Sequence, residues 1–85
     1  MQKFEFTVTD ENGIHARPAG LLVKEAQKLS SDVTVACREK SADAKKLFAL
    51  MSLGAKCGDT LTVTVSGINE QADAAALYRF MRETF

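Results

Sequence analysis

The sequence predicts an α+β fold in which helices cover one face of an open antiparallel sheet. Segments that alternate strictly between apolar and polar residues, with many threonines, indicate strands with one face toward water. Segments with apolar residues at helical spacing lie between them. The chain has 85 residues, enough for one domain, 1–85, and too few for two, and a domain this short needs an efficient core. One layer of helices on one sheet is therefore the expected architecture.

Alternation defines three strands, in residues 3–10, 32–39 and 59–67. Because each has an apolar face, all three can cover one core, which favours an antiparallel sheet that is open on its other side. A short fourth strand is expected near residues 40–43, after a turn. The residues predicted to face the core are Phe4, Phe6, Val8, Val33, Val35, Cys37, Leu61, Val63 and Val65.

Helical spacing predicts three helices, over about 16–29, 45–54 and 69–85. Asn69 is a plausible N-cap for the last, and Gly54 suits the C-terminal end of the short one. The element order is then βαββαβα, with the helices on one face. The core-facing residues of the two long helices are Ala19, Leu22, Val23, Ala26, Leu29, Ala74, Leu77, Tyr78, Met81 and Phe85.

Two apolar features do not fit a plain core. Leu21 points away from the apolar stripe of its helix, toward the side that carries Arg17 and Lys24. In addition, apolar residues surround most of the short helix. A helix on a sheet buries one side, so the exposed residues form either a partner surface or the lining of a groove that buries them all. Leu50 and Leu53 are expected to face inward, and Leu47, Phe48 and Met51 to be largely exposed.

Charge and composition exclude several classes of function. Eleven basic residues balance eleven acidic ones, and the open sheet face carries threonine rather than aromatic residues, so a nucleic-acid module is disfavoured. No apolar run is long enough for a membrane span and the N-terminus does not resemble a signal peptide. We therefore expect a cytoplasmic protein without direct membrane insertion. Cys37 and Cys57 lie far apart and lack CxxC spacing, so one disulfide is conceivable but two buried or free thiols are expected. No zinc pattern or cofactor motif is present.

The segment NGIHARPAG, residues 12–20, contains the only histidine and the only proline. Pro18 suits the first turn of a helix, and Gly13 permits a sharp turn before it. The free amides and positive dipole of a helix start attract anions, and the Arg17 guanidinium suits phosphate oxygens. His15 is a nucleophile that can be phosphorylated. Alternatively, His15 only caps the helix, but the four residues together favour an anion-handling site.

No Ser-His-Asp set and no paired carboxylates stand out in the sequence. The chain looks too small to bind and turn over a substrate alone. A group carrier, which accepts a group from one protein and hands it to another, fits these observations better than a stand-alone catalyst.

GIHARPAG, residues 13–20, and KSADAKKLFALMSLGA, residues 40–55, resemble the two functional segments of the HPr family, the histidine-containing phosphocarriers of the phosphoenolpyruvate-dependent sugar phosphotransferase system. The resemblance covers the whole chain. It implies an open-faced β-sandwich with four antiparallel strands and three helices. It also implies that enzyme I phosphorylates His15 at Nδ1, that Arg17 and the amides near Ala16 and Arg17 stabilise the phosphate, and that IIA domains of enzymes II receive it during sugar uptake.

The resemblance further implies a docking surface and a monomeric carrier. Leu21 and the Leu47–Phe48–Met51 cluster become an apolar patch around the histidine. Lys24, Lys45 and Lys46 either steer acidic partners or are ordinary solvated side chains. The implied partner-binding residues are Ala16, Arg17, Gly20, Leu21, Lys24, Leu47, Phe48, Met51, Ser52 and Gly54.

One position departs from many Gram-positive relatives, which carry a regulatory serine where this chain has Lys46. Ser41 and Ser52 lie nearby but do not match that position. The departure leaves carrier function intact and argues against control by a kinase. Two other functions stay open, namely a paralogue in a nitrogen-related or regulatory branch and a regulatory binding domain, although the latter relatives usually lack the histidine.

Overall fold

The computed structural model describes residues 1–85 and contains the predicted elements in the predicted order, including the short fourth strand. The elements are β1 (Gln2–Thr7), α1 (Ala16–Gln27), β2 (Asp32–Cys37), β3 (Lys40–Asp43), α2 (Leu47–Met51), β4 (Thr60–Ser66) and α3 (Glu70–Thr84). The α+β, open-faced fold is confirmed.

All strand pairs are antiparallel, and the sheet order is β1-β4-β2-β3. One row across the sheet joins Phe4, Val63, Val35 and Ala42, and its side chains face the core. The adjacent row joins Lys3, Thr64, Thr34 and Asp43 and belongs to the open face. The alternation in the sequence therefore separates the two faces as expected.

The core lies between the sheet and the helices. Leu22 of α1, Leu50 of α2 and Leu77 of α3 are fully buried there. α3 packs on β1 and β4, α2 packs on β3, and α1 contacts both other helices. This packing brings the start of α1 close to the end of α3. No helix is long and apolar enough to cross a membrane.

Three local expectations need correction. α1 ends at Gln27, and Leu29 follows it in a tighter turn in which the Leu29 amide donates to the Ala26 carbonyl. Tyr78 is 40% exposed and meets the ring of Phe4 edge-on instead of lying within the core. Asn69 occupies the N-cap position of α3, but its side chain donates to the Ser30 hydroxyl and does not cap the helix.

The two cysteines are free thiols, as expected. Cys37 is buried on the inner face of β2, and Cys57 is exposed in the loop before β4.

Candidate functional site

A tight turn leads from β1 into the segment that carries the histidine. The Gly13 amide donates to the Asp10 carbonyl at 2.9 Å, and the Asn12 amide donates to Asp10 Oδ1, also at 2.9 Å. An aspartate whose side chain accepts from the amide two residues later forms an Asx turn. The turn therefore fixes both the backbone and the carboxylate of Asp10.

Gly13 and Ile14 attach this turn to the body of the protein. Gly13 has φ +67°, and a Cβ added there would lie 2.3 Å from the Ala55 carbonyl oxygen. The Ile14 amide donates to that same oxygen at 3.1 Å, and the Ile14 side chain is buried. Only glycine fits both the left-handed conformation and the close approach. The backbone that leads into His15 is therefore fixed by the contacts of Gly13 and Ile14 with Ala55.

His15 is the N-cap residue of α1, with φ −114° and ψ 178°, and α1 begins at Ala16 as expected. Its side chain makes no capping hydrogen bond. The side chain is 40% exposed, and Nε2 lies 3.5 Å from Asp10 Oδ2. The imidazole therefore does not cap the helix through its side chain, contrary to what the alternative expected.

The first turn of α1 has backbone amides without acceptors and contains no acidic residue. The first intrahelical bond runs from the Ala19 amide to the His15 carbonyl, so the Ala16 and Arg17 amides have no backbone acceptor. Pro18, buried at the third helical position, has no N–H to satisfy. No acidic residue occupies the first turn. The positive end of the helix dipole is therefore open to an external anion.

Arg17 places a guanidinium beside the histidine. It is exposed and belongs to none of the ion pairs of the molecule. A shallow cleft of about 170 Å³ has His15, Arg17 and Leu21 in its wall, together with Asp10, Pro18 and Thr84 from the end of α3. The site therefore combines a half-exposed imidazole, two free amides and an unpaired guanidinium.

The residues of the predicted docking surface are exposed only in part. Leu21 is 46% exposed and Phe48 is 83% exposed. Leu47 and Met51, however, are half-buried and pack against the core, which corrects the expectation that both are largely exposed. Because α2 contacts both α1 and β3, this short helix buries more than one side. Among the remaining predicted positions, Gly20 is half-buried, and Lys24, Ser52 and Gly54 are exposed.

Of the three lysines that could steer acidic partners, Lys45 and Lys46 have different surroundings. Lys45 is half-buried, and its ammonium group donates to the Leu29 carbonyl at 3.1 Å. The Gln27 side chain in turn donates to the Lys45 carbonyl. Lys45 thus joins the end of α1 to the segment before α2, whereas Lys46 is exposed at the N-cap of α2.

Asp10 is the one residue of the cleft with a direct polar contact to His15, and it is not among the residues predicted from the sequence. A signal for it does exist. The run D-E-N-G at residues 10–13 has the composition of an Asx turn, and it ends two residues before the histidine.

Comparison with known proteins decides the family. The family model described as "PTS HPr component phosphorylation site" matches residues 2–83. The chain belongs to the HPr family. The phosphocarrier protein HPr of Buchnera aphidicola subsp. Baizongia pistaciae is 40% identical over 77 residues, which cover 91% of each chain. HPr of Mycoplasma capricolum subsp. capricolum is 36% identical over 84 residues, covering 99% of this chain and 94% of that one.

A solved structure of the histidine-containing phosphocarrier protein of Mycoplasma superposes with a TM-score of 0.93 at 35% identity. It covers 98% of this chain and 94% of the mycoplasma chain. The chain is therefore an HPr phosphocarrier of the phosphotransferase system, whose family role lies in sugar transport.

Proposed function

We propose that His15 is the phosphoryl acceptor, that enzyme I supplies the phosphoryl group, and that IIA domains of enzymes II receive it during sugar uptake. The carrier acts in the cytoplasm as a monomeric single domain. The observation that carries this proposal is the half-exposed imidazole at the open start of α1, beside a guanidinium with no protein partner.

The transfer needs only positioning and charge stabilisation from this chain. The lone pair of His15 Nδ1 attacks phosphorus, and the bond between phosphorus and the donor breaks with its electron pair on the donor. The Ala16 and Arg17 amides and the Arg17 guanidinium are the donors for the phosphoryl oxygens. Onward transfer reverses these roles, with the receiving group as nucleophile and Nδ1 as leaving group.

Incubation with phosphoenolpyruvate and enzyme I tests the acceptor. We expect one added phosphate by mass spectrometry, lost again in acid, and none on His15→Ala, whose thermal unfolding stays close to that of the wild type. Phosphorylation of His15→Ala at the wild-type level would contradict the assignment. Light scattering of the unmodified chain tests the monomer, and a dimer mass would refute that part.

Leu21 and Phe48 supply the apolar part of the proposed docking surface, because both are exposed large apolar residues on the contacting helices α1 and α2. Phe48→Ala is expected to weaken binding to enzyme I about tenfold or more, as truncation of an aromatic anchor does. It should leave the melting temperature nearly unchanged. Ile68→Ala is the matched control, since Ile68 is a fully exposed apolar residue in the loop before α3. Equal effects of the two changes on binding would refute the docking surface.

A further inference from the structure

We propose that Asp10 is a positioning residue for His15: its carboxylate lies on the Nε2 side of the ring, and its negative charge favours the ring proton at Nε2, which leaves the Nδ1 lone pair free for attack on phosphorus. The separation between Asp10 Oδ2 and His15 Nε2 is 3.5 Å, and the two side chains are 30% and 40% exposed. This distance is longer than an ordinary N–H···O hydrogen bond, so the carboxylate acts on the ring through its charge. The inference rests on the proposed function, in which Nδ1 of His15 accepts the phosphoryl group.

The two oxygens of the Asp10 carboxylate have separate tasks. Oδ1 accepts from the Asn12 amide at 2.9 Å, and the Asp10 carbonyl accepts from the Gly13 amide at 2.9 Å. With Oδ1 and the backbone fixed in the turn, Oδ2 is left directed at the imidazole ring. The carboxylate is therefore oriented by the backbone before any partner arrives.

An ionised carboxylate only accepts hydrogen bonds. A neutral imidazole carries one N–H, and the group that faces a ring nitrogen decides which tautomer is favoured. A carboxylate at Nε2 therefore favours the tautomer with N–H at Nε2 and a free lone pair at Nδ1. The same logic governs the acid that orients a catalytic histidine in hydrolases.

The transfer step then needs no proton movement. The Nδ1–P bond forms, the bond between phosphorus and the donor breaks with its electron pair on the donor, and Nε2 keeps its hydrogen. The ring of the phosphorylated form carries a positive charge, which Asp10 faces. Arg17 lines the same cleft without an ion pair to Asp10, so the guanidinium stays available to the phosphoryl oxygens.

Asp10→Asn separates the two tasks of the side chain. Asparagine retains a side-chain oxygen for the Asn12 amide and forms the same turn, while its amide N–H₂ group cannot accept from Nε2. Asp10→Ser also retains an oxygen for the turn and lacks the second acceptor. Glu11→Gln is the matched control, because it removes the same charge from the adjacent, exposed position.

Nitrogen-15 NMR of the His15 ring, recorded above about pH 8 where an ordinary imidazole is neutral, reports the tautomer in the absence of any partner. In the wild type and Glu11→Gln we expect N–H at Nε2. In Asp10→Asn and Asp10→Ser the population with N–H at Nδ1 should rise. Transfer from enzyme I to these two variants should slow about two- to fivefold, the range of an exposed charge pair.

A wild-type tautomer population in both Asp10 variants would overturn the proposal. Equal slowing of transfer by Glu11→Gln would overturn it as well, because net charge would then be the cause. Failure of the wild type to accept phosphate from enzyme I would contradict the proposed function instead, and the partner-free tautomer measurement is independent of that result.

Discussion

The two long helices begin in opposite ways. α3 starts with Glu70 and Asp73 in its first turn, whereas the first turn of α1 has no acidic residue. The Glu70 carboxylate accepts from the Gly67 amide and pairs with the N-terminal ammonium group. Asp73 accepts from both the amide and the hydroxyl of Ser31. The positive end of α3 is thus neutralised by the chain itself.

At α1, by contrast, the positive end of the helix is not neutralised by acidic residues of the chain. The amides of Ala16 and Arg17 have no acceptor, the His15 side chain does not cap the helix, and Arg17 has no ion-pair partner. The comparison indicates that the start of α1 is suited to an external anion because it lies beside a cation and has no competing acid in its first turn. A helix start whose positive end lies beside acidic residues of its own first turn, like that of α3, serves packing instead.

The loop that enters α1 should show the largest effect on stability. In Gly13→Ala the positive φ is strained and the new Cβ lies 2.3 Å from a backbone oxygen, so we expect a loss of about 2–4 kcal/mol in the free energy of unfolding. Gly58→Ala is the control, because Gly58 has φ +94° but open space around it, and about 1 kcal/mol is expected. Denaturant titration measures both, and equal losses would show that the contact with Ala55 carries no energy.

Adding an acid to α1 should make its start resemble that of α3. In Ala16→Glu, at the exposed first position of the helix, we expect transfer from enzyme I to slow about tenfold or more, since a like charge faces the phosphoryl oxygens. Stability should be unchanged or higher, because acids favour helix starts. Gln71→Glu introduces the same charge in the first turn of α3 and should not alter the transfer rate. Slowing by both variants would indicate a general charge effect and break the comparison.

Arg17→Lys keeps the charge but loses the planar pair of donors. We expect phosphotransfer to slow about fivefold or more, corresponding to a loss of about 1–3 kcal/mol for a charge-assisted contact. Arg79→Lys, on the exposed side of α3, should transfer at the wild-type rate. Stopped-flow or quench measurements with enzyme I and a IIA domain compare the two variants. An unchanged rate for Arg17→Lys would show that the guanidinium does not contribute to transfer.

The smallest expected effect is a pH-dependent change in melting temperature when Glu70 is replaced. Its pKa lies below the ordinary value of 4.5 because the N-terminal ammonium group donates to the carboxylate, with a further contribution from the Gly67 amide. A pKa that is lower in the folded state stabilises the protein above the unfolded value, and this contribution is lost as the pH falls through the folded value. The melting temperature of Glu70→Gln should therefore lie slightly below that of the wild type above about pH 5. The difference should begin to shrink as the pH falls below 4.5 and vanish below the lowered pKa of the folded state. Glu83→Gln, in the last turn of α3, should show no such pH-dependent gap.

The strands and helices could be predicted because their apolar periods are strict. The alternation in residues 59–67 allows only one face of that strand to be buried, and that face is buried in the structure. The same holds for the apolar stripe of α1 through Leu22 and Ala26. The end of α1 could not be placed from the stripe, because Leu29 remains in contact with the core after the helix has ended.

Part of the site could be predicted for a similar reason. His15, Pro18 and Arg17 are local to one helix start, so sequence order nearly fixes their geometry. Contacts between distant segments do not follow from sequence order. The half-burial of Leu47 and Met51 depends on how α2 meets its neighbours, and the bond from Lys45 to the Leu29 carbonyl joins segments 16 residues apart.

The contrast between the two helix starts can be tested in one measurement. The nitrogen-15-labelled protein is phosphorylated by phosphoenolpyruvate and enzyme I, and amide shifts are recorded before and after. The account predicts that the Ala16 and Arg17 amide protons move strongly downfield as they donate to the phosphoryl oxygens, while the amides of Glu70 and Gln71 stay unchanged. Phosphorylated His15 with unmoved Ala16 and Arg17 amides would contradict the central claim that the open start of α1 binds the phosphoryl group.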